Sequence, residues 1–312
     1  MKKQLLYRLI GLVIITWSIL SLLFLSTNYA MWRNINSSAP FFTFAPVLFD
    51  RYIMYSKSVL FHFNWGYAFS GESAWQLLFD YMKPTLLIVF VSFGISVALG
   101  ILFGWISAYF KHSLLDKMIS FLTLVFASIP NYIWIMVFML VFGYTLKWLP
   151  PIPPSAELGW GAQIQGLIMP VTALTLAPLA KFTSLIRNEL IEALNSDYLL
   201  LLRTKGLTRK QIMLRHLLKD SLVAIMPELS TTFIFILSGS FLLERINNVH
   251  GLSLLLYRSL FAPMFDFYML RIDIPVAVLV GTFYAWMGIM MTFIVDLLYP
   301  LVDPRIRIGS TQ

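Results

Sequence analysis

Thr85–Phe110 reads TLLIVFVSFGISVALGILFGWISAYF, 26 residues without a charge. A helix that crosses the hydrocarbon core of a bilayer needs about 20 such residues. In lipid every backbone N–H and C=O must be satisfied within its own segment, so an isolated run of this length has only the α-helix open to it. Five more runs of spanning length accompany it, at Leu9–Thr27, Ile119–Leu146, Ile164–Leu185, Ser221–Leu243 and Ile274–Pro300. Composition agrees: 59% of the 312 residues are hydrophobic and 12% are charged, against about 25% charged in soluble domains. The expected fold is an all-α integral membrane protein with six transmembrane helices.

Lys and Arg between the runs set the orientation. With the N-terminus inside, residues 1–8, 111–118, 181–220 and 301–312 carry 15 basic residues in 68 positions. The remaining pieces, 28–84, 146–163 and 245–273, carry 8 in 104. Basic residues favour the cytoplasmic side, so both termini are expected there. One transmembrane domain is expected over 1–312: a first helix at 1–27, an external loop at 28–84, a five-helix core at 85–300 and a cytoplasmic tail at 301–312. The loop 28–84 is expected to lie on the membrane face or on the other helices. Four prolines in Trp148–Pro154 fix φ and remove donors, which predicts an extended segment. Gly100 and Gly104 form a small-xxx-small pair that permits close helix approach. Pro170, Pro178 and Pro227 predict kinks or helix starts.

Several chemistries are excluded. The chain has no cysteine, so it has no disulfide, thiolate metal site or cysteine nucleophile. It has no P-loop and no H-E-x-x-H spacing, so no metal and no catalytic residues are expected. The net charge of +8 is spent flanking the runs, and no nucleic-acid partner is expected. Lys181, Glu228, Glu244 and Asp296 sit near run ends, where an interfacial position suffices for a charge. A proton- or ion-coupled carrier is expected to hold acidic residues at mid-membrane, and the runs place none there. A stand-alone secondary transporter or membrane enzyme is the competing class.

One hydrophilic stretch stands apart. Asp197–Pro227 carries Tyr198, the leucines Leu199–Leu202, then Arg203, Lys205, Gly206, Leu207, Arg209, Arg215 and His216. Four leucines cannot span a bilayer, and left bare in water they invite aggregation. They read as anchors for a soluble partner, with the cations as a polar rim. Gly206 permits a sharp turn or a positive φ.

This order, with Arg187 before it, resembles the cytoplasmic loop of the B-type permeases of the dipeptide/oligopeptide/nickel ABC importers. Further matches are Trp148-Leu149-Pro150, Glu244-Arg245 with Gly251-Leu252, Asp273-Ile274-Pro275, Asp296 to Tyr299, and Asp303 to Arg307; together they cover about residues 65–308. The chain departs from the group at Leu202, Thr204 and Ser253. The resemblance implies a type I importer permease fold, with a coupling helix inside the loop of about 187–220. Asp197, Tyr198, Leu201, Leu202, Arg203, Lys205, Gly206, Leu207, Arg215 and His216 would engage an ATPase. It implies two ATP-binding subunits, a second homologous permease, an external solute-binding lipoprotein and surrounding membrane lipid. This chain would bind no cofactor, ATP and Mg being used by the partners. The cargo would be a di- or oligopeptide, with nickel or a metal chelate as the alternative. Thr231, Thr232, Ser238 and Ser240 are neutral hydrogen-bonding groups in the helix that would line the path. Glu244, Arg245 and Asp273 either pair across the outer mouth or mark the membrane interface.

Overall fold

The computed structural model describes residues 2–35, 41–154, 159–196, 202, 204, 206–263 and 270–302. Ten helices carry the described chain: α1 (Lys2–Ile35), α2 (Phe41–His62), α3 (Ala74–Tyr109), α4 (Leu114–Ser128), α5 (Asn131–Phe138), α6 (Trp160–Leu194), α7 (Arg209–Ile212), α8 (Leu218–Ile246), α9 (Leu252–Leu260) and α10 (Ile274–Val302). A two-residue antiparallel pair joins Ala262–Pro263 to Leu270–Arg271. Five of these helices are long and apolar enough to cross a membrane, and α4 with α5 makes a sixth if the bent pair is one span.

That bent pair corrects the sequence expectation of one continuous run at Ile119–Leu146. The chain turns by 100° between Leu114–Ser128 and Asn131–Thr145. The cause is Pro130, which has no N–H to give and forces its predecessor out of the helical region. Ile129 accordingly has φ −101 and ψ 123. Pro227 is corrected in the opposite sense. It lies inside α8 rather than at its start.

The chain divides into two compact units. The first takes Met1–Leu86 and Asn248–Met290. Within it, α2 lies in the stretch 28–84 read from sequence as a loop, and it packs on α1, one of the two placements expected of that stretch. Its aromatic residues lock onto α1: the Phe24 and Tyr55 rings stack at 4.5 Å, and Ser21 Oγ and Tyr52 Oη share a hydrogen bond of 2.6 Å. Leu20, Phe24, Val59 and Val278 form one buried cluster; Ala74, Leu78, Leu252, Leu255 and Val276 belong to another.

The second unit takes Leu87–Asn247 and Met291–Gln312, with α6 as its axis. Lipid supplies no hydrophobic drive between helices, so close backbone contact and hydrogen bonds have to hold them. Ser92 Oγ donates to Val171 O at 3.1 Å, and Ser96 Oγ to Thr175 O at 3.2 Å. One and two turns further along α3, a Cβ at Gly100 would come 2.5 Å from Phe182 Cβ. One at Gly104 would come 2.8 Å from the Thr183 carbonyl. The Pro-rich segment follows the same rule. A Cβ at Gly143 would meet Pro151 at 2.9 Å, and one at Gly166 would meet Pro153 at 2.6 Å.

Gly104→Leu places a branched side chain against a backbone carbonyl that cannot yield. Overpacking of this kind costs about 1–3 kcal/mol. The expected result is a thermal midpoint several degrees lower in detergent, with Gly94→Leu as the control, since nothing lies within 4 Å of a Cβ there. Equal midpoints for the two variants would show that α3 does not depend on this approach.

Candidate coupling and translocation site

The described part of the cytoplasmic stretch begins as a helix start. Thr208 N donates to Gln211 Oε1 at 2.9 Å, and Gln211 N faces Thr208 Oγ1 at 3.4 Å. This reciprocal pair is a capping box, which satisfies two of the donors a helix leaves open. Thr208-x-x-Gln211 is a sequence signature that could have located this start, and the sequence reading did not use it. Gly206, two residues earlier, has φ +76, the left-handed turn that glycine adopts freely. After the cap, α7 passes through a π-helical turn, Met213–Leu217, directly into α8.

Asp197, Tyr198, Leu201, Arg203 and Lys205 lie outside the described residues. Arg215 and His216 lie in the backbone of the π-helical turn. Leu207 is half-buried. Leu202 is 3% exposed, covered by its own chain, and so differs from the partner-facing anchor expected of it. The sequence cannot tell inward from outward over four consecutive leucines.

At the base of α6 stands a network the sequence reading missed. Arg187 grips Asp116 with both ends of its fork, Nε to Oδ1 at 2.7 Å and Nη2 to Oδ2 at 3.0 Å. Ser107 Oγ donates to Oδ1 at 2.5 Å, and His112 N donates to Oδ2 at 2.9 Å. Ser113 caps α4 by accepting from Asp116 N at 3.3 Å. The carboxylate is buried, and its donors come from the end of α3, the α3–α4 elbow and α6. Bidentate geometry fixes distance and angle together. Asp116 was legible only as one acidic residue within a basic loop.

The four hydroxyls of α8 do not share a face. Thr231 and Ser238 are exposed, at a spacing of seven residues, whereas Thr232 and Ser240 are buried. Ser240 Oγ is held by Leu237 O at 2.8 Å. Lys181 of α6 forms an ion pair with Glu228 of α8, and Thr231 Oγ1 donates to Glu228 Oε2 at 2.9 Å. In α8, Glu244 is fully buried and the next residue, Arg245, is exposed. Asp273 belongs to the first unit, where its Oδ2 accepts from Phe69 N at 2.8 Å. Burial pushes its carboxyl above the usual range, against backbone hydrogen bonds from Phe69 and Val276. Nearby, Leu252 N donates to Thr85 Oγ1 at 2.9 Å, and the Ser253 and Tyr284 hydroxyls meet at 2.9 Å.

Residues 100–308 match the model of the binding-protein-dependent transport system inner membrane component, and the chain belongs to that family. Its fold is that of a type I ABC importer permease. A chain of the MetNI methionine ABC transporter, solved in inward-facing conformations, superposes with TM-score 0.57 at 18% identity, over 73% of this chain and 97% of that one. Among similar sequences is the dipeptide transport system permease protein DppB of Lactococcus lactis, 33% identical over 214 residues. That match spans 69% of this chain and 65% of the relative. The DppB protein of Bacillus subtilis is 29% identical over 90% of this chain and 86% of its own length. The oligopeptide transport system permease protein OppB of Haemophilus influenzae is 27% identical over 83% and 81%.

Removing one member of a buried ion pair leaves the other charge without a counter-ion, at a cost of about 3–5 kcal/mol. Asp116→Ala is therefore expected to destabilise the purified protein more than any exposed substitution, and Arg187→Ala to do the same. The double variant should recover part of the loss. Thermal unfolding of the three variants measures this; additive losses would show that the two groups do not act as a pair.

Proposed function

We propose that this chain is a transmembrane permease subunit of an ATP-driven importer of short peptides. The observation that supports this reading most is the extent of likeness to proteins named as dipeptide and oligopeptide permeases, one of them over 90% of the chain. Two ATP-binding subunits, a second homologous permease and an external solute-binding lipoprotein complete the assembly. ATP and Mg are used by the partners, and this chain contributes no catalytic group. It resides in the inner membrane with both termini in the cytoplasm, in keeping with the basic residues of 181–220.

The stretch after α6 is the handle by which the ATPases act. A capped helix start at Thr208, a left-handed turn at Gly206 and a helix that continues from α7 into α8 make a lever whose motion is passed to a span without a hinge. Loops that absorb motion are jointed; this segment, from Arg209 onward, is helical. The mutual grip of Asp116 and Arg187 ties the base of α6 to the α3–α4 elbow, so the lever moves these elements together.

Deletion of the gene is expected to abolish growth of an amino-acid auxotroph on a peptide source. Loss of nickel-dependent enzyme activity with peptide growth intact would replace the peptide cargo by a metal one. Gly206→Val forces a β-branched residue to a positive φ. It is expected to leave insertion unchanged while at least halving recovery of the ATPase in a pull-down. Normal ATPase recovery would remove the coupling role of the turn. For orientation, a single cysteine at Ser58 is expected to label from outside intact cells and one at Ser196 to remain silent. The reverse pattern would invert the topology.

A further inference from the structure

Lys181 and Glu228 pair between α6 and α8 within the second unit, yet their side chains remain 48% and 36% exposed. The sequence set both charges at the ends of apolar runs, but the helices continue past those ends. The candidate spans are Gly161–Leu194 and Leu218–Ile246. Lys181 lies between three and four residues beyond the middle of the first, and Glu228 four residues before the middle of the second. At 1.5 Å per residue each is about 5–6 Å from the middle of its helix. Both are displaced toward the ends that meet the 195–208 connection, which places them at one depth.

A half-exposed ion pair at that depth needs water or a polar surface around it. Hydrocarbon is the environment such charges avoid, and snorkelling serves residues at helix ends. Neither side chain is stretched toward an interface; each is turned to the other. The polar character continues along both helices. Ser184 and Asn188 follow Lys181 at three and seven residues and are exposed, and Thr231 and Ser238 are exposed on α8.

We propose that the Lys181–Glu228 pair faces the water-filled translocation path and is a charge station for the cargo. It rests on the peptide reading for the identity of that cargo, though not for its position in water. A free peptide is a zwitterion. Its ammonium group exchanges onto Glu228 and its carboxylate onto Lys181, so one ion pair is replaced by two. Between cargoes the pair closes on itself, as it stands in the structure. The Thr231 hydroxyl holds the carboxylate of Glu228 in place during the exchange. A site of this kind reads the two ends common to all short peptides and leaves side chains unread.

The absence of cysteine gives a direct test in the complete transporter reconstituted in vesicles. Lys181→Cys and Glu228→Cys are expected to react with a charged thiosulfonate supplied on both sides. Dialanine is expected to slow both reactions at least fivefold. Silence at both positions would place the pair at a subunit contact and overturn the proposal. In a second arm, the double variant Lys181→Met with Glu228→Met removes the charges but keeps the contact. Its uptake of dialanine is expected to fall at least tenfold although all subunits copurify; uptake at the wild-type rate would reduce the pair to a structural tie. If that variant fails to assemble, Lys181→Gln with Glu228→Gln carries the same expectation. A wild-type complex that imports no dialanine while both cysteines label overturns the peptide cargo and leaves the water-facing position standing.

Discussion

Close approach to α6 is the constraint on which the second unit depends. Lipid tails are as apolar as leucine, so a leucine-rich helix gains little by meeting another. What holds α3 to α6 is proximity itself: two glycines where a methyl group would collide, preceded by two serines that bond to α6 carbonyls. Small residues shorten the distance, and the shorter distance brings the hydroxyls into range. Each device is weak alone. In sequence along one face they fix both separation and rotation.

The electrostatics follow from the same geometry. Among the described residues two ion pairs involve α6, at different positions along it and with different exposure. Asp116 and Arg187 sit at the base, sheltered and held by four donors. Lys181 and Glu228 stand nearer the middles of their helices and half-open. A sheltered, bidentate pair restricts movement between elements, whereas an open pair with one supporting hydroxyl can exchange partners. The difference in surroundings, rather than residue type, assigns the first to structure and the second to traffic.

Much of this was legible before any coordinates. Lipid permits so few backbone solutions that length and composition alone identify five of the spans. The close approach at Gly100 and Gly104 was equally plain. Other features were hidden for identifiable reasons. Pro130 sits in a run hydrophobic enough to read as continuous, and hydropathy carries no information about direction. The helix at Phe41–His62 was masked by aromatic content that fits an interfacial loop as well as a packed hairpin. Asp116 and Arg187 are 71 residues apart, and nothing local in either segment points to the other. Lys181 and Glu228 were visible as charges, but their depth depends on where the helices stop, which run boundaries understate. The four leucines of 199–202 carry no periodicity that separates one face from another, so the burial of Leu202 could not be foreseen.

The π-helical turn at Met213–Leu217 has an arithmetic consequence. A turn bonded from i to i+5 holds one residue more than the α-helical turn it replaces. At 3.6 residues per turn, that residue rotates everything before it by about 100° relative to everything after. The azimuth of Arg209–Ile212 around the axis of α8 is therefore set by a count of residues, independently of which side chains occupy them. Single-residue insertions and deletions inside this turn act as rotations of the handle about its shaft, while substitutions there leave its bearing unchanged.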